Sequence, residues 1–90
     1  MAKQPKITLA ARILLLKEHL ETLRNDERDA GIEAHQAFED VREALKSETA
    51  DGRAVDWDPL RSRMWRSYAI HNHIKGQIDA LRRQIELLES

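Results

Sequence analysis

Two stretches of the chain set apolar residues at alternating steps of three and four, a spacing that strands cannot use and that one face of a long helix requires. In the first, Leu9, Ile13, Leu16, Leu20 and Leu23 lie on one stripe, and the same count continues through Glu27, Ala30, Ala34, Ala37, Val41 and Ala44, with Phe38 and Leu45 alongside. In the second, Leu60, Met64, Ser67, His71, Ile74, Ile78, Leu81, Ile85 and Leu88 follow the same rule for about four heptads, the pattern of a helix packed along a coiled-coil seam. Only Pro5, Gly31, Gly52, Pro59 and Gly76 can interrupt helices strongly, and the remainder is dense in Ala, Leu, Glu, Arg, Lys and Gln. The expected class is all-α.

The boundaries follow from capping chemistry. A tail over residues 1–8 ends at Thr8, which can cap a helix spanning 9–47. Residues 48–57 belong to a stretch rich in Asp, Ser, Thr and Gly in which neither period survives, and they form the expected connection. Asp58 before Pro59 marks the next start, because proline suits the first helical position and leaves the preceding residue to cap, so a second helix is expected over 58–89. The whole of 1–90 then reads as a single helical domain. An alternative breaks the first helix near 29–31, where Gly31 follows the polar run NDERD, and gives a three-helix bundle.

Two long helices joined by a short connection fold back as an antiparallel hairpin with a coiled-coil-like seam. Leu9 to Leu23 is expected to face Ile74 to Leu88, while the small residues Ala30, Ala34 and Ala37, with Val41, face Leu60, Met64, Trp65 and Tyr68. Ninety residues hide only about 60 to 65% of the surface an unfolded chain exposes. Ala11, Leu14 and Leu15 lie off the seam, and a second copy covering them would make a homodimeric four-helix bundle, so these three are the expected oligomer contact.

Charge is balanced at −1 overall but unevenly spread: residues 1–17 carry four basic and no acidic side chains, 18–58 five basic and thirteen acidic, 59–90 six basic and three acidic. That distribution suits attraction between the two helices. The run Arg61, Arg63, Trp65, Arg66 is the one cluster that could contact phosphates, and it motivates an alternative reading as a nucleic-acid-binding regulator; the near-neutral balance weighs against it.

Chemistry-bearing residues are sparse. His71 and His73 point about 200° apart on a helix and cannot share a metal ion. His35 with Glu39 is an i, i+4 pair lacking further ligands, and His19 has Glu18 and Glu21 near it only in sequence. No metal site, cofactor or catalytic constellation is expected, and the chain reads as non-enzymatic. His71 instead occupies a seam position opposite the Glu27 and Ala30 region, where the stripe turns polar on both helices, and a layer of Glu27 with Ser67 and His71 can fix register or partner choice. The expected function is protein–protein interaction, as a small adaptor, regulator or inhibitor, with Trp57, Arg61, Trp65 and Tyr68 as the expected docking residues. The lack of cysteine fits a reducing compartment, so a cytoplasmic location is expected, and the longest apolar run, Ile13 to Leu16, is far too short for a membrane span.

Overall fold

The structure is a computed structural model describing residues 7–52 and 54–90, so residues 1–6 of the expected tail and Arg53 of the connection lie outside the described residues. It consists of two helices, α1 (Leu9–Asp51) and α2 (Trp57–Glu89), packed side by side and antiparallel. At about 1.5 Å per residue they are about 65 and 50 Å long. The hairpin is only 15 Å in its thinnest dimension, one helix layer thick, and no large side chain is fully buried among the described residues.

Thr8 caps α1 as expected: its hydroxyl oxygen accepts the Ala11 N–H at 3.1 Å. The far end corrects the expected boundary. Helix α1 runs one turn beyond residue 47, to Asp51, because Gly52 adopts φ 67° and returns its N–H to the Glu48 carbonyl, closing the last turn in the left-handed conformation that glycine tolerates best. The start of α2 is also corrected. Asp56, not Asp58, is the cap and accepts the Asp58 N–H; Pro59 stands third in the helix, still within the first turn, where a missing N–H costs nothing.

The break near Gly31 does not occur, and with it the three-helix alternative falls. Helix α1 is continuous from Leu9 to Asp51. Gly31 is half-buried against α2, and a Cβ built there would meet His71 Nε2 at 3.2 Å. The glycine therefore serves as clearance for an imidazole, and the contact across the seam offsets its low helix propensity of about 1 kcal/mol.

The seam itself follows the three-four count along both helices. Leu23, Leu81 and Ile85 form the buried cluster near the chain ends, with Leu16, Leu20 and Ile78 packed against it. Toward the connection the buried residues are Ala34 and Ala37 on α1 and Ser67 on α2, with Leu60 and Met64 half-buried. Trp65 and Tyr68 do not join them: both are exposed. A two-helix seam is only two positions wide, and Trp65, next to Met64 in sequence, is turned about 100° out of it.

Candidate functional site

The side faces of the hairpin are ordered by their ion pairs. Lys17 Nζ lies 2.6 Å from Glu89 Oε1, which marks one flank. Steps of seven keep a residue on the same side of a coiled-coil helix. From Lys17 they reach Arg24, Gly31, Phe38 and Leu45, and back from Glu89 they reach Arg82, Lys75, Tyr68 and Arg61. Arg24 and Lys75 do line one shallow depression, which supports the assignment. On the opposite flank the Arg63 guanidinium spans Glu33, at 2.9 Å, and Asp40. Steps of seven from these residues reach Asp26, His19 and Arg12 on α1 and Ile70, Gln77 and Gln84 on α2.

The first flank carries the exposed aromatics. Trp65 is 64% exposed, Phe38 41% and Tyr68 37%, and Leu45 is 55% exposed beside a depression shared with Lys46, Thr49 and Ala50. Arg61, Trp65 and Tyr68 fall at i, i+4 and i+7 of α2, one above the other. Three of the chain's four aromatic residues thus meet water on one side, with Arg61 and Lys75 at the margins. The fourth, Trp57, is elsewhere: it is half-buried at the seam, and its indole N–H donates to Glu48 Oε2 at 2.9 Å, tying the start of α2 to the end of α1. Phe38 and Leu45 each follow a seam position by one residue, and nothing in the spacing sets them apart as exposed docking residues.

The arginine cluster does not form one basic face. Arg63 is engaged on the second flank, where the hydrogen bonds it donates to Glu33 and then Asp40 favour its charged form. Arg61 lies on the first flank, and Arg66, five residues on, is turned about 140° from it.

Of the expected polar layer, Glu27 and His71 meet at mid-seam, while Ser67 lies one turn before His71 on the same stripe of α2. His71 Nε2 is 2.9 Å from Glu27 Oε1, with the imidazole mostly covered and the carboxylate about one-third exposed, and Ser67 is buried. Among the described residues no buried side-chain nitrogen or oxygen lacks a partner. Ala11, Leu14 and Leu15 are not a single patch. Ala11 is half-buried, whereas Leu14 and Leu15 are each more than half exposed and point about 100° apart, Leu14 toward the first flank and Leu15 toward the second.

No group of three or more His, Asp or Glu side chains converges as a metal site among the described residues, and no described helix is long and apolar enough to cross a membrane. No family model matches the chain, and no curated protein or solved structure matches it either.

Proposed function

We propose that the protein is a non-enzymatic interaction module of the cytoplasm, an adaptor, regulator or inhibitor that docks on another protein through the first flank of the hairpin and self-associates as a dimer of hairpins. The observation that carries this reading is the concentration of Phe38, Leu45, Trp65 and Tyr68 on one exposed face. Isolated exposed apolar residues are ordinary, but a contiguous group is not. Each large apolar side chain left in water forgoes about 1.5 to 3 kcal/mol relative to full burial. Tyrosine, tryptophan and arginine are also the residue types that dominate binding hot spots, and Arg61 stands one turn from Trp65. Self-association is supported by the single-layer hairpin, which gives neither helix a cover on its outer side.

The test is affinity capture from host lysate with three proteins: wild type, Trp65→Ala, and Tyr68→Ala. The expected result is a specific partner retained by wild type and lost with both variants, while circular dichroism shows unchanged helicity. Identical partner sets for all three would overturn the reading.

A further inference from the structure

Near the chain ends the second flank differs in kind from the rest of the surface. One third of the chain is charged, yet the positions that face this way between Arg12 and Asp26 on α1 are Leu15, His19 and Thr22, and on α2 they are Gln77, Ala80, Gln84 and Leu87. None carries a fixed charge. His19, Gln77, Ala80 and Gln84 form the rim of a groove of about 360 Å³ floored by seam leucines, so both helices contribute to one surface. Leu15 and Leu87, among the exposed large apolar residues at 53% and 76%, stand at one end of it.

We propose that this neutral flank is the self-association face, occupied by a second copy of the chain that packs on it antiparallel, α1 on α1 and α2 on α2, about a two-fold axis crossing α1 at His19 and α2 at Gln84. The inference rests on the self-association proposed above and assigns its surface. A two-fold interface must be complementary to itself, and three features of this flank satisfy that condition.

The first is size. Reversal about His19 brings Leu15, about 6 Å to one side of the axis, opposite Thr22, about 4.5 Å to the other; reversal about Gln84 likewise sets Leu87 against Ala80. Large residues meet small ones on both helices. The second is charge. Arg12 and Asp26 stand seven residues before and after His19, so each arginine faces the aspartate of the other copy, twice in the dimer. Neither has an ion-pair partner within the chain among the described residues. The third is the contrast with the first flank. A two-fold crossing α2 at Tyr68 would set Lys75 against Arg61, like charge against like, twice in the dimer. That flank suits a different molecule; the neutral flank suits its own copy.

The contact is about 21 Å long and about 20 Å wide across two helices. Counting both copies and their corrugation, it buries on the order of 1,000 Å², the low end for a specific interface, so a dimer that dissociates in the micromolar range is expected. The two hairpins overlap only near their chain ends, and their aromatic flanks remain uncovered.

Sedimentation equilibrium of the full chain from about 1 to 500 μM tests the assignment. Wild type is expected to dimerise. Ala80→Glu should weaken the dimer by tenfold or more, and Arg12→Asp or Asp26→Arg should each weaken it severalfold. The double variant Arg12→Asp/Asp26→Arg should recover most of the affinity. His19→Cys, in a chain with no other cysteine, should form an intermolecular disulfide under mild oxidation, whereas Lys46→Cys should not. A wild type that stays monomeric at 500 μM overturns both the self-association and this assignment. A dimer that resists Ala80→Glu but is split by Trp65→Glu keeps the self-association and overturns the assignment, as does a charge-swapped double variant no tighter than the single ones.

Discussion

At the scale of single residues, the Gly31–His71 contact shows how a poor helix former is retained. Alanine at position 31 would improve helix propensity by about 1 kcal/mol, but its Cβ would stand 3.2 Å from His71 Nε2 and displace a ring that is paired with Glu27. Gly31→Ala is therefore expected to stabilise the wild type by clearly less than 1 kcal/mol, and to give nearly the full propensity gain in a His71→Ala background. Urea denaturation of the four proteins of this cycle measures the coupling, and equal gains in both backgrounds would show that the imidazole does not use the space glycine leaves. Asp40 is the second residue whose surroundings have a measurable consequence. The Gln36 side-chain amide, and next the Arg63 guanidinium, hold its carboxyl below the ordinary value of 3.8. A depressed folded pKa stabilises the fold above the unfolded value and is lost as pH falls through the folded one. The expected signature is a loss of stability between about pH 4 and lower values that is shallower in Asp40→Asn, visible as converging melting temperatures of the two proteins on acidification. Because the pair is exposed to water, the effect is small and should shrink with added salt.

At the scale of elements, the two halves of the seam are built on different packing rules. Near the chain ends large aliphatics oppose one another, with Leu23, Leu81 and Ile85 buried; near the connection Ala34 and Ala37 let α2 approach closely over Ser67 and Met64. Leu23→Ala should cost about 2 to 3 kcal/mol, through lost burial and the cavity left behind. Ala37→Leu should cost about 1 to 3 kcal/mol through overpacking, although it adds apolar volume. Chemical denaturation of both variants checks this, and a stabilising Ala37→Leu would mean that the helices are not in close contact at that level. The seam was legible in the sequence because its spacing repeats over many turns, and even Glu27 and His71, which break its apolar character, were placed by counting. Continuity through Gly31 followed from the same count, which resumes in phase at Ala34, but the count left the break open, since a glycine after a polar run looks the same whether it ends a helix or clears space for a side chain on another. The ends of the connection were misplaced for a related reason: Asp56 and Asp58 are equally good caps, and the Trp57–Glu48 hydrogen bond that joins the two helices cannot be seen until they are side by side. The flanks were the least legible part. Trp65 and Tyr68 were identified, but their grouping with Phe38 and Leu45 depends on which residues of α1 lie beside which of α2, and that register is given by Lys17–Glu89 and Arg63–Glu33.

For the whole molecule, the decisive quantity is how much of its stability a single hairpin can supply alone. One stripe per helix is covered, no large side chain is fully buried among the described residues, and Leu14, Leu15, Ile32, Ile70 and Leu87 are all more than half exposed. A domain of similar length normally packs its elements in two or more layers, so that the apolar face of each is covered. If a second copy supplies the missing cover, folding and association are linked, and mass action makes the melting temperature depend on concentration. The size of that dependence follows from the unfolding entropy, about 2.1 cal/mol/K per residue, or about 0.38 kcal/mol/K for two chains. A tenfold change in concentration is worth about 1.4 kcal/mol, so the melting temperature should rise by about 4 °C per decade wherever the dimer predominates. Below the dissociation constant the slope should vanish, leaving the intrinsic melting temperature of the lone hairpin. Thermal melts from about 1 to 500 μM locate that crossover, and in Ala80→Glu it should move to higher concentration with the low-concentration limit unchanged. A single melting temperature across the whole range would place all of the stability within one hairpin, and the exposed leucines would then be left for another protein to cover.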